Sequence, residues 1–264
     1  MKFLIDAGIL LAAYIFGSVP FGLIVVKLMS GKDIRKVASG RTGGTNAMRA
    51  AGLWAGVFTA VLDILKAALT VWMAQALTSN VWIHALTPIA AILGHNYSIF
   101  LAERSPQGGI RLRGGAGGAA AGGGAFGLWP PIGLILIPVC SLIWFGIGYA
   151  SITTLSIGVL SILIFGIRAA LGLGPWEYVI YGLVAEALMV WSLRPNIKRL
   201  IDGTERRHGL PVIFQQRKDA KAASSAPGKL GGREDGSNRN TGSSKGLKAT
   251  PRNTKTRRNE FTIL

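Results

Sequence analysis

The chain is short of acid and almost without sulfur or imidazole. Its 264 residues hold 12 Asp and Glu against 29 Lys and Arg, with one Cys and 3 His. A single thiol, Cys140, cannot close an intrachain disulfide, and its place inside an apolar run points to core packing. There is no HExxH, no CxxC pair and no Gly-Lys-Ser/Thr phosphate loop, so metal-dependent hydrolysis and nucleotide hydrolysis lack their usual apparatus. No metal and no cofactor is expected. Any chemistry must rest on positioned donors or on the substrate itself.

What is present is hydrocarbon. Half of the residues are hydrophobic while the net charge is +17, and the two properties occupy different parts of the chain. Apolar stretches recur at about 4–28, 53–77, 81–101, 116–129, 131–149, 151–169 and 176–193. Most have the length that a helix needs to cross roughly 30 Å of hydrocarbon. The stretch at 116–129 is short and rich in Gly and Ala, which fits a half-span packed inside a bundle. The run from Phe3 to Met29 is too long for a signal peptide and has no convincing cleavage site, so it reads as a permanent span.

The reading is therefore an all-α polytopic membrane protein with about seven transmembrane helices. Basic residues fall in alternate loops: Lys32, Arg35, Lys36, Arg41 and Arg49 in one, Arg104, Arg111 and Arg113 in the next. Seven spans put these loops and the basic tail on the cytoplasmic side, with the N-terminus outside. Residues 1–205 form the expected membrane domain. Residues 206–264 hold too little apolar surface to fold alone and read as a solvated cytoplasmic tail, drawn to anionic lipid at about 1 kcal/mol per well-placed cation. No nucleic-acid partner is expected.

That orientation gathers unusual polar groups at one membrane face. Ser39-Gly40-Arg41-Thr42-Gly43-Gly44-Thr45-Asn46, followed by Arg49, combines glycines with hydroxyls and cations. Glycine lets consecutive amides converge on an anion, and Arg adds neutralising charge, so the string suits a phosphate at the membrane surface. His95, the run Arg113-Gly114-Gly115-Ala116-Gly117, Ser151, Asn196 and Glu205 share that face. Each has a plainer reading: Arg49 as an orientation signal, the glycines as packing, His95 as an interfacial histidine, Ser151 as a helix cap. Asp63 and Lys66, three residues apart within a span, suit a structural ion pair.

These residues resemble the bacterial acyl-phosphate:glycerol-3-phosphate acyltransferases of the inner membrane. Gly17-Ser18-Val19-Pro20, Ser39 to Arg49, Asp63-Ile64-Leu65-Lys66, Leu93-Gly94-His95, Arg113 to Gly117 and Asn196 through Glu205 are similar to that family's motifs, in order, over about residues 4–205. The resemblance implies transfer of a fatty acyl group from acyl phosphate to the 1-hydroxyl of glycerol 3-phosphate, giving lysophosphatidic acid and phosphate. It implies catalytic roles for Ser39, Arg49, Ser151 and Asn196, with Ser151 donating to a substrate phosphate. Phosphate binding falls to Gly40, Arg41, Gly44, Thr45, Asn46, Arg113, Gly114, Gly115 and Gly117, with His95 and Glu205 supporting. Three positions depart from the pattern: Arg41 stands for an asparagine, Ala116 for a lysine and Leu193 for a histidine, and about eight residues are inserted before Arg113. Arg41 or Arg113 could replace the missing lysine. A relative that binds a phosphorylated lipid or polyol without this chemistry, or a transporter, remains the alternative.

Overall fold

A computed structural model of the chain describes residues 2–105 and 108–208; most of the basic tail lies outside the described residues. The first apolar stretch is not one helix. α1 (Lys2–Gly17) and α2 (Phe21–Ser30) meet at Ser18-Val19-Pro20, because Pro20 has no amide hydrogen and disfavours helical geometry at the residue before it. The Val19 carbonyl at the break accepts from Lys66 Nζ at 3.0 Å.

After a loop come the short α3 (Gly44–Ala51), then α4 (Leu53–Leu77) and α5 (Val81–Asn96). Expected as a span to residue 101, the third stretch leaves the helix at Asn96 and continues as β1 (Ser98–Arg104), paired antiparallel with β2 (Ile110–Arg113). The chain is thus mostly helical rather than all-α. Gly108 and Gly109, at φ +87° and +88°, turn the chain, and Ser105 N–H donates to the Gly109 carbonyl at 3.0 Å. Ser98 ties the strand's start to the helix break by donating to the Ser18 carbonyl at 2.6 Å.

α6 (Gly118–Leu128) sits at the centre. Its 11 residues rise about 16 Å at 1.5 Å each, near half the hydrocarbon thickness. Small residues let neighbours approach: a Cβ at Gly123 would meet the Ile64 carbonyl oxygen of α4 at 2.2 Å, and Ala120, Ala121 and Ala125 are buried. α7 (Gly133–Leu142) runs into a π-turn at Ile143–Ile147, followed by α8 (Ala150–Ala170) and α9 (Glu177–Ile201). Tyr181 of α9 donates to the Ala121 carbonyl at 2.5 Å, locking α9 to α6.

Lys2–Ser30, Leu53–Leu77 and Ala150–Ala170 are long and apolar enough to cross a membrane. Large apolar side chains stand on the outer surface, among them Leu28, 81% exposed, and Leu134, 80%. A soluble monomer rarely shows so much contiguous apolar surface. Inside, Lys66 and Asp63 form a buried pair at 2.7 Å, and Lys66 Nζ also lies 3.0 Å from His95 Nδ1. One cluster therefore ties α4 to α5 and to the break between α1 and α2, so the expected ion pair is formed.

Candidate active site

Three helices begin at one place. The N-termini of α3, α6 and α8 all border a single cavity of about 420 Å³, lined by Gly44, Thr45 and Asn46 from α3, Gly117, Gly118 and Ala119 at the start of α6, and Ala150, Ser151 and Thr154 from α8. The first amides of a helix have no partner within it and carry the positive end of its dipole. Convergence of three such ends makes the cavity a natural anion site. Close contacts hold them there: a Cβ at Gly44 would meet the Gly56 carbonyl oxygen at 2.9 Å, and one at Gly118 would meet Thr154 at 2.8 Å.

Ser39, Arg41, Arg49, His95 and Asn196 complete the polar wall. Arg41 reaches across from its loop to donate to the Gly115 carbonyl at 3.4 Å and to the carbonyl of Ser192 on α9. Arg49 donates to His208 Nε2 at 2.7 Å, while its Nε is buried without a partner. Among the described residues neither guanidinium pairs with a carboxylate. Burial, and then neighbouring Arg199 for one and Arg206 for the other, push both below the usual arginine range. An anion entering the cavity would relieve both.

The opposite wall is apolar, built from Met48, Leu53, Val57, Ala60 and Ile64 on one side and Trp144, Phe145 and Ile157 on the other. Leu53, Val57 and Phe145 are also exposed on the outer apolar surface, so the trough opens toward lipid. A ligand with an anionic head and a hydrocarbon tail fits both halves.

A family model described as Glycerol-3-phosphate acyltransferase matches residues 7–203. The chain is 35% identical over 206 residues to the glycerol-3-phosphate acyltransferase of Rubrobacter xylanophilus, covering 78% of this chain and 96% of that one. It is 38% identical over 200 residues to that of Thermus thermophilus, covering 76% and 94%. The chain belongs to the glycerol-3-phosphate acyltransferase family. Among solved structures, the fold resembles PlsY, an integral membrane glycerol 3-phosphate acyltransferase, in its glycerol 3-phosphate form, with TM-score 0.67, 29% identity and coverage of 79% and 98%. The lysophosphatidic acid form of that protein matches with TM-score 0.65.

Against the residues expected of an acyltransferase site, the geometry makes several distinctions. Ser39, Arg41, Gly44, Thr45, Asn46, Arg49, His95, Gly117, Ser151 and Asn196 line the cavity; Gly40, Arg113, Gly114, Gly115 and Glu205 do not. Arg113 is tied by its Nε to Glu103 of the hairpin at 2.8 Å. Gly114 and Gly115 pack on the end of α5, where a Cβ at Gly115 would lie 1.9 Å from His95 Nε2. Gly40, at φ +67°, bends the loop behind the wall. The Asn46 amide donates to the carbonyls of Arg41 at 2.8 Å and Val37 at 3.0 Å, which makes it the brace of the 34–41 loop.

Ser151 also departs from its expected part. Its hydroxyl donates to Glu205 Oε2 at 2.5 Å, and a hydroxyl has only one proton to give. Glu205 Oε1 meanwhile accepts from Asn196 Nδ2 at 3.2 Å. Glu205 thus orients two of the cavity's members, Ser151 and Asn196. Sequence reasoning missed His208 altogether, since composition assigned it to the tail.

Proposed function

We propose that this protein transfers a fatty acyl group from acyl phosphate to the 1-hydroxyl of glycerol 3-phosphate, at the cytoplasmic face of the bacterial inner membrane. The hydroxyl oxygen attacks the acyl carbonyl carbon, the bond from that carbon to the phosphate oxygen breaks, and phosphate leaves. A substrate phosphate oxygen takes the hydroxyl proton, so lysophosphatidic acid and phosphate are the products. The acyl phosphate is already activated, which leaves proximity and charge stabilisation as the protein's task. Arg41, Arg49, the Ser39 and Thr45 hydroxyls and the amides opening α3, α6 and α8 hold the phosphoryl groups, and the Met48–Ile64 and Trp144–Ile157 walls take the start of the acyl chain.

One observation carries the reading: two arginines without a carboxylate partner among the described residues and three helix N-termini share a cavity whose other half is apolar and opens to the outer surface. Arg41 borders the cavity together with Ala116, so it supplies the cation that the family pattern places at 116. The topology that goes with this is seven crossings, formed by α1 with α2 and by α4 to α9, with the half-length α6 counted and the basic loops inside. The assay is thin-layer detection of product from labelled glycerol 3-phosphate and palmitoyl phosphate by purified protein. Labelled lysophosphatidic acid is the expected result; none formed where the Thermus thermophilus relative is active would end the proposal.

A further inference from the structure

His208 lies beyond the segment that the family model matches, yet it is built into the site. Its ring stacks on Trp144 with centroids 5.1 Å apart and planes 6° apart, and its backbone N–H donates to the Gly148 carbonyl at 2.8 Å. Gly148, at φ +81°, makes room: a Cβ there would sit 2.3 Å from the His208 carbonyl oxygen. Next to it, Arg207 bridges to Tyr149, and Glu205 holds Ser151 and Asn196. Residues 205–208 form a strap across the start of α8.

The contact with Arg49 fixes the imidazole's protonation. A guanidinium has only donors, so the ring nitrogen 2.7 Å from Arg49 Nη2 must present its lone pair, and the ring's proton is on Nδ1. Of the chain's 3 histidines, His95 is held in the Asp63–Lys66 cluster and His84 contacts the Thr78 carbonyl at the far end of α5. His208 is the histidine that hydrogen-bonds a cavity arginine.

We propose that His208 is a positioning residue for the phosphate-binding Arg49: its neutral Nε2 accepts one arm of the guanidinium and thereby aims the others into the cavity. The inference rests on the reading that Arg49 binds substrate phosphate. Protonated His208 cannot accept that bond and repels Arg49, so the contact exists only above the imidazole's pKa. Burial, then Arg49, lower that pKa from the ordinary histidine value, Glu205 opposes the shift and Arg206 adds to it. Positioning is thus in force at neutral pH and lost on acidification, on the acid side of the usual histidine range.

The test compares wild type with His208→Ala, His208→Phe and His208→Gln. KM and kcat for glycerol 3-phosphate and for palmitoyl phosphate are measured across pH, and inorganic phosphate binding by calorimetry. Ala and Phe remove the acceptor, Phe keeping the stack on Trp144; both raise KM and weaken phosphate binding about tenfold at pH 8, the effect of one lost hydrogen bond to a charged group. Gln keeps an acceptor that does not titrate, so it holds KM within about twofold of wild type at pH 8 and flattens the acid rise in KM. The substrate arm that shifts identifies which phosphate Arg49 holds. Unchanged or improved binding in the Ala and Phe variants overturns the proposal, as does an acid rise in Gln equal to that of wild type. Wild type without turnover strikes the acyltransferase reading, while the calorimetric comparison still decides the role of His208.

Discussion

Arg41 borders the cavity as a cation without a carboxylate partner among the described residues, and exchanging charges between 41 and 116 tests what it does. Arg41→Asn removes a partly buried cation from a cavity in which position 116 has no charge. A cation about 4 Å from a phosphate oxygen gains about 4 kcal/mol at an effective dielectric near 20. Desolvation of the guanidinium and loss of side-chain freedom offset part of that gain. The net value of a hydrogen bond to a charged group, about 1.5–3 kcal/mol, is the better measure, and it corresponds to a fall of about 10- to 150-fold in kcat/KM. Adding Ala116→Lys to Arg41→Asn brings the charge back from the start of α6. The double variant is expected to regain at least tenfold, the shortfall reflecting a compact ammonium in place of a fork. Initial rates with labelled glycerol 3-phosphate and palmitoyl phosphate read the outcome. Full activity in the single variant, or a double variant no better than the single, refutes the assignment of Arg41 as the replacement cation.

Other perturbations separate scaffold from site. Gly115→Ala places a methyl group 1.9 Å from His95 Nε2 and should lower the melting temperature in detergent sharply, a cost of about 1–3 kcal/mol or more, whereas Gly8→Ala on α1 meets nothing within 4 Å and should leave it unchanged or raise it. Lys66→Met leaves Asp63 buried beside His95 and should destabilise by about 3–5 kcal/mol, seen as lost folded yield and a lower melting temperature. Ser151→Ala removes the proton that Glu205 accepts, and adding Glu205→Gln should recover part of the stability loss; strictly additive losses would mean that the 2.5 Å contact carries no coupling. Ending the chain at residue 210 should retain activity, but ending it at 205 should raise the KM for the phosphate substrate through loss of His208.

The 39–49 string could be picked out as a candidate cavity wall because its logic is local: glycines, hydroxyls and a cation within one turn and one short helix. The half-length of α6 was legible too, as its glycines and alanines announce close packing before any neighbour is known. What stayed hidden depended on distant partners. Nothing near Ser151 says that its proton goes to a carboxylate 54 residues on, and nothing near Arg113 says that Glu103 will claim it once a hairpin forms. The hairpin was masked because β1 carries the apolar Ile99, Phe100 and Leu101 after its first residue, which prolong the hydropathy of α5 past its end at Asn96. His208 was invisible for a different reason: a composition argument treats 206–264 as one object, and the first three residues of that segment belong with the site.

These distant partners share a pattern. Glu205 takes up Ser151 and Asn196, the Asp63–Lys66–His95 cluster neutralises itself, and Glu103 engages Arg113, which leaves Arg41 and Arg49 as the cavity cations without an acidic partner among the described residues. A catalyst whose substrate brings its own leaving group needs an electrostatic mould more than a nucleophile, and a mould works only if its charges are not already spent on the protein. Among the described residues the carboxylates of Asp63, Glu103 and Glu205 engage Lys66, Arg113 and Ser151 rather than Arg41 or Arg49. Introducing one more acid within reach of Arg41 or Arg49 would therefore do what substrate does, and keep substrate out.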